Sequence, residues 1–148
     1  VSQDTDLLKQ ELWESLQDKG ARDAFAASHL SNNIGAQIFS MREARGWSQE
    51  KLADEVGMAQ PRISLLEGGY ERYSLTTLKR IASTFDVAVV VRFVPFSELV
   101  DWVGDLSEER LAPVEFANDN LAIDEEEPAY EAAVAEPSLE FRTPCSPT

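Results

Sequence analysis

A mainly helical bundle, followed by one β-strand and an acidic tail without fixed structure, is the fold class this sequence predicts. Three observations predict it. Between positions 34 and 85, apolar residues recur at helical spacing in short runs separated by Gly and by Ser caps. Residues 87–94, Val-Ala-Val-Val-Val-Arg-Phe-Val, change to β-branched composition and alternate Val87, Val89, Val91 and Phe93 onto one face. From 105 onward the periodicity stops and Glu, Asp, Pro and Ala dominate. Such a composition buries too little apolar surface to offset the entropy of ordering.

The elements follow in order. Residues 6–18 predict a helix with Leu8, Leu12 and Leu16 on one stripe and Trp13 beside it. Residues 21–30 form a short second segment in which Arg22 and Phe25 pack, so 1–30 reads as an N-terminal helical extension. Asn33 is placed to cap a helix over 34–44, with Ile34, Ile38 and Met41 inward. Trp47 falls between helices as a core residue. Ser48 caps the next helix, whose inward positions are Leu52, Ala53 and Val56, and Gly57 stands where a left-handed residue would end it. Met58 and Ala59 lead into a helix over 60–67, with Pro61 in its first turn, where a missing N–H costs little. Ile63 and Leu66 are three apart and face inward, so Gln60, Arg62, Ser64 and Leu65 point elsewhere. Gly68 and Gly69 end that helix. A last core helix begins after Ser74 and buries Leu75, Leu78, Ile81, Ala82 and Phe85. Residues 31–86 thus form one domain containing two short helices about a three-residue turn. With one face of the second helix left exposed, this is the arrangement of a helix-turn-helix that reads the major groove of DNA.

A single strand cannot satisfy its own backbone groups, and no second convincing strand occurs in the chain. Residues 87–103 therefore read as a dimerisation unit. Its strand is expected to pair with the same strand of a second copy about a two-fold axis, the alternative being a buried extended segment lying across its own helices. Pro95 ends the strand, and a helix over 97–103 sets Leu99, Trp102 and Val103 against the ribbon. Residues 104–148 make up the acidic tail, which serves solubility alone, or else shields the basic surface or docks a basic partner.

Residues 34–85 resemble the phage-repressor (Cro/C1-type, or Xre) helix-turn-helix family. The resemblance rests on Gln49-Glu-x-Leu-Ala-x-x-x-Gly57, on Ile63-Ser64-x-Leu66-Glu67, on Thr77-Leu78 opening the next helix, and on Arg42 with Glu67. It implies an ion pair in which Arg42 ties its helix to Glu67 at the end of the recognition helix. It also implies that Gln60 pairs with an adenine edge, that Gln49 anchors a phosphate, and that Arg72 contacts the DNA backbone. Arg62 can reach a guanine or a phosphate, and Ser64 either. Two residues depart from the pattern. Pro61 replaces a polar side chain, and Leu65 stands where many relatives carry a long polar or basic one, so it reads a thymine methyl or belongs to a protein interface. Residues 19–25 and 88–96 look like flanks of small bacterial regulators of this family, antitoxins among them.

Charge does not contradict this reading once it is divided along the chain. The 148 residues carry a net charge of −14. Residues 97–148 hold two basic and fourteen acidic groups, net −12, whereas 20–96 hold nine basic and eight acidic, net +1. A core of +1 neutralises phosphate weakly, so affinity is expected to come from pairing two domains on a two-fold operator. Arg45, Lys51, Arg62, Arg72, Lys79 and Arg80 are the candidate surface cations, Arg42 being committed internally. No run of eighteen apolar residues and no secretion signal is apparent, which leads to the expectation of a cytoplasmic, nucleoid-associated protein. The one Cys, Cys145, and the one His, His29, lack catalytic or metal-binding company, so neither enzyme activity, metal nor cofactor is expected. The leading expectation is a homodimeric transcriptional repressor whose partners are an operator duplex and a second copy. Its alternatives are an antitoxin that represses its own operon and neutralises a toxin, and an interaction module without DNA binding.

Overall fold

Seven helices succeed one another in the computed structural model, which describes residues 2–70, 72–105 and 107–121. They are α1 (Ser2–Ser15), α2 (Lys19–Ala44), α3 (Gln49–Val56), α4 (Gln60–Glu67), α5 (Leu75–Phe85), α6 (Phe96–Val103) and α7 (Glu108–Leu111), with a 3-10 turn at Phe116–Asn118. The core lies where α2 to α5 meet, and joins Ile38 and Met41 of α2, Leu52, Ala53 and Val56 of α3, Ile63 and Leu66 of α4, and Ile81 and Phe85 of α5. Each fully buried side chain among these, such as Leu52, Ile63, Leu66 or Phe85, contributes roughly 1.5–3 kcal/mol of transfer free energy. Trp47 stacks on Phe85 at 5.9 Å between centroids and so belongs to this core, as its position between helices predicts.

The helix ends follow the local chemistry. Ser48 Oγ accepts from the Lys51 N–H and Ser74 Oγ from the Thr77 N–H. Gly57, at φ 75°, ends α3 in the left-handed region, and Pro61 sits in the first turn of α4.

The N-terminal half differs from expectation. α2 runs unbroken from Lys19 to Ala44, through the boundary placed between 30 and 31, and Asn33 does not cap a new helix. Asn33 lies inside α2, where its Oδ1 accepts from Gln37 one turn on, so its polar group is satisfied without ending the helix. The cap of α2 is Asp18, which accepts from the Ala21 N–H. In α1 only Leu16, just past its end, is buried, and Leu8 is exposed. In α5 the outward residue is Leu75, while Thr77 takes a buried place beside Ile81, Ala82 and Phe85.

No strand is formed among the described residues. The expected strand at Val87, Val89, Val91 and Phe93 is therefore corrected: in the single chain this segment has no regular structure. A strand needs a ladder partner for its N–H and C=O groups, and none lies among the described residues. Val87 packs on the core, whereas Val89, Val90, Val91 and Phe93 are exposed. α6 buries Val100 and lies against α1, where Lys9 Nζ donates to Asp101 at 2.9 Å, and Trp102 lies beneath the Arg110 guanidinium rather than against a ribbon.

Residues 107–121, expected to lack fixed structure, make defined contacts with the domain. α7 packs on α2, Ala112 joins the edge of the core, and the Phe116 N–H donates to the Asp86 carbonyl at 3.0 Å. Apolar anchors at Leu111 and Ala112 within an otherwise acidic sequence hold this stretch to the domain. The expectations for 122–148, Cys145 included, lie outside the described residues.

Candidate nucleic-acid interface

The exposed face of α4 is positioned from below by one carboxylate. Glu67, in the last turn of α4, accepts from Arg42 Nε at 2.5 Å and from Arg42 Nη2 at 3.0 Å, a two-pronged pair that is almost wholly buried. Arg42 Nη1 also donates to the Trp47 carbonyl at 2.7 Å, which fixes the loop leading into α3. The hydrogen bond to Glu67 raises the Arg42 pKa above its ordinary value, so the guanidinium keeps its charge. The expected link between the first core helix and the end of α4 is thus present in the structure.

The same carboxylate reaches the surface through two amides. Gln49 Nε2 donates to Glu67 Oε2 at 3.0 Å, and Gln60 Nε2 donates to Gln49 Oε1 at 2.8 Å. The N-termini of α3 and α4 are therefore joined side chain to side chain. Gln60 retains its carbonyl oxygen and one amide hydrogen for a further partner, the two groups that an adenine edge requires. Nothing in the sequence pointed to the contact between Gln49 and Gln60.

Of the remaining residues on this face, Pro61, Ser64 and Leu65 are exposed, Leu65 at 45 %. Arg62 is exposed as well, but its Nη2 donates to Thr77 Oγ1 at 3.4 Å, so its guanidinium is directed toward α5. Arg72 is exposed in the loop between α4 and α5.

The candidate cations divide. Arg45 is mostly buried, donating to the Met41 and Phe85 carbonyls and lying over the Phe85 ring, with Glu115 at 3.8 Å. Arg80 donates to the Val56 and Gly57 carbonyls and so closes the end of α3. Lys51 pairs with Glu55 and lies over Trp47. Arg45 thus acts as an internal fastener and Arg80 as a surface one, while Arg62, Arg72 and Lys79 also keep exposed positions.

Gly35 is a positioning residue that the sequence reading passed over. A Cβ there would stand 2.6 Å from the Glu67 carbonyl oxygen and 2.8 Å from that of Leu66, so α2 and α4 touch backbone to backbone at this point. A lone Gly inside a helix costs about 1 kcal/mol against Ala and commonly has a packing reason, a signal that was available.

Comparison with known proteins gives two findings. A family model described as Helix-turn-helix matches residues 38–91, the span from mid-α2 to the exposed apolar segment. The chain is also 34% identical over 74 residues to a protein of Acinetobacter baylyi named competence pilus inhibition repressor. That match covers 50% of this chain and 66% of the relative. No solved structure matches.

Proposed function

Because residues 38–91 belong to the helix-turn-helix family of Cro/C1 type, a DNA-binding regulator family, we propose that this chain is a sequence-specific repressor that occupies its operator as a homodimer. The observation that carries the reading is the joined pair Gln49 and Gln60, held on the exposed side of α4 by Glu67. α4 enters the major groove, Gln60 presents its free carbonyl and N–H to an adenine, and Gln49 at the start of α3 meets the adjacent phosphate. Ser64 adds a hydroxyl on the same face, and Arg72 contacts the backbone beyond it. Arg62 serves a phosphate if it leaves Thr77. A repressor is preferred to an antitoxin because the Acinetobacter relative is named a repressor. No helix among the described residues is long and apolar enough to cross a membrane.

The second copy belongs to the exposed apolar segment. Val90 is 81 % exposed and Phe93 fully so, in a stretch anchored at one end by Val87 in the core and at the other by α6 on α1. Antiparallel pairing with its counterpart would cover these side chains and supply a ladder that the described residues do not form.

Genome-wide capture of bound DNA, run beside analytical ultracentrifugation, tests the proposal. The expected outcome is a short two-fold-symmetric site. The Gln60→Ala/Arg62→Ala variant loses this site while it sediments as the same dimer. A folded variant that still selects the site, or a wild-type chain that selects none, refutes the assignment.

A further inference from the structure

We propose that Pro61 and Leu65 form an apolar strip that reads the 5-methyl group of thymine, so that the operator half-site places A·T pairs under α4. This rests on the groove-binding role of α4 proposed above. Pro61 and Leu65 are four residues apart and therefore share one side of the helix, next to Gln60 and Ser64. Both are exposed, while the core positions of α4 are taken by Ile63 and Leu66.

The chemistry of the groove selects the partner. Neither side chain can donate or accept a hydrogen bond. Set against guanine O6 and N7 or cytosine N4, they would strip water from polar atoms and return nothing. The thymine methyl is the apolar group that the major groove offers. The nearest long polar side chain, Arg62, is drawn toward Thr77, so it does not lie over the strip. Gln60, held by Gln49, supplies an adenine-type donor and acceptor directly beside it. Amide and apolar strip together favour adenine and thymine at neighbouring steps.

The test uses the full 148-residue chain and a duplex selected by it from a random pool. Each thymine is then replaced singly by deoxyuridine, which removes only the methyl group. At one or two thymines per half-site, affinity should fall about four-fold per methyl lost, and about fifteen-fold when both half-sites are altered. Cytosine and 5-methylcytosine, compared at those positions, should differ in the same direction. Leu65→Ala should bind the thymine duplex more weakly and lose its sensitivity to deoxyuridine, as should Leu65→Gln, with melting temperatures near wild type for both.

Uniform tolerance of deoxyuridine in a selectively bound duplex overturns the methyl reading and leaves groove binding intact. A Leu65 variant that remains as sensitive as wild type overturns it too, as does one that loses self-association instead of methyl sensitivity. Failure to select any duplex overturns both this inference and the proposed function.

Discussion

Glu67 serves three donors with one carboxylate: Nε and Nη2 of Arg42, and Nε2 of Gln49 above them. Removing it should therefore be costly in a way that surface ion pairs are not. Glu67→Ala leaves a buried guanidinium without its partner, and stability should fall by about 3–5 kcal/mol, read from the urea midpoint at unchanged m-value. A loss under 1 kcal/mol would mean that Arg42 finds water instead. His29 is the other residue with an energetic consequence. Its Nε2 is buried without a hydrogen-bond partner, its ring stacks on Phe25 at 6.0 Å, and burial lowers its pKa from the ordinary 6.5. A base whose folded pKa is lowered takes up its proton more readily when unfolded. The proton-linked cost of His29 is therefore absent above pH 6.5, and stability declines as pH falls from there toward the lowered folded value. His29→Leu should flatten that part of a stability–pH curve measured by thermal melting, and an unchanged slope would exclude the histidine as its source. At this scale the sequence was informative about single roles: Ser48, Ser74, Gly57 and Trp47 behave as their types and spacing require. It was silent on Gln49 with Gln60, because spacing within α3 or α4 does not specify how closely their N-termini approach.

Between elements, the tightest junction is the crossing of α2 and α4 at Gly35. Gly35→Ala would drive a methyl group to 2.6 Å from a backbone oxygen, and α4 has to move because the obstacle is backbone rather than a flexible side chain. Overpacking of this kind costs roughly 1–3 kcal/mol. The displaced helix carries the proposed reading face, so operator affinity should fall by more than non-specific affinity, as measured by fluorescence anisotropy on both duplexes. Equal losses would show that the position of α4 is not what sets specificity. The elements that sequence reading misjudged share a physical cause. Asn33 looks like a cap, but an Asn side chain is equally satisfied by Gln37 within the helix, so the choice between ending α2 and continuing it was not local. The β-branched run after Val87 suits a pleated surface, but β-propensity carries no information about whether a pairing partner is at hand. The acidic stretch near 110 looked unable to order because composition averages hide anchors: Leu111 and Ala112 suffice where a surface of α2 awaits them.

Across the whole molecule, the decisive asymmetry is charge. Residues 122–148 carry seven acidic groups and one basic, net −6, and they continue a chain whose residue 116 is hydrogen-bonded to Asp86 at the end of α5. This negative charge is thus tethered to the helix-turn-helix domain itself, and it opposes the approach of a polyanion. A chain ending at residue 121 would carry −8 instead of −14. Base contacts are short-ranged and unaffected by such a change, whereas attraction to phosphate responds to the total field within a Debye length, about 10 Å at 0.1 M salt and about 30 Å at 0.01 M. The truncated chain should therefore bind a random duplex several-fold more tightly near 0.01 M salt. The two chains should converge as salt rises, while their preference for operator over random sequence changes in the opposite sense, because the non-specific affinity gains most. Anisotropy titrations of both chains across a salt series measure this directly. Curves that coincide at low salt would mean that the acidic segment has no bearing on how the domain meets DNA. Curves that stay apart at high salt would mean that it acts by contact rather than through its field.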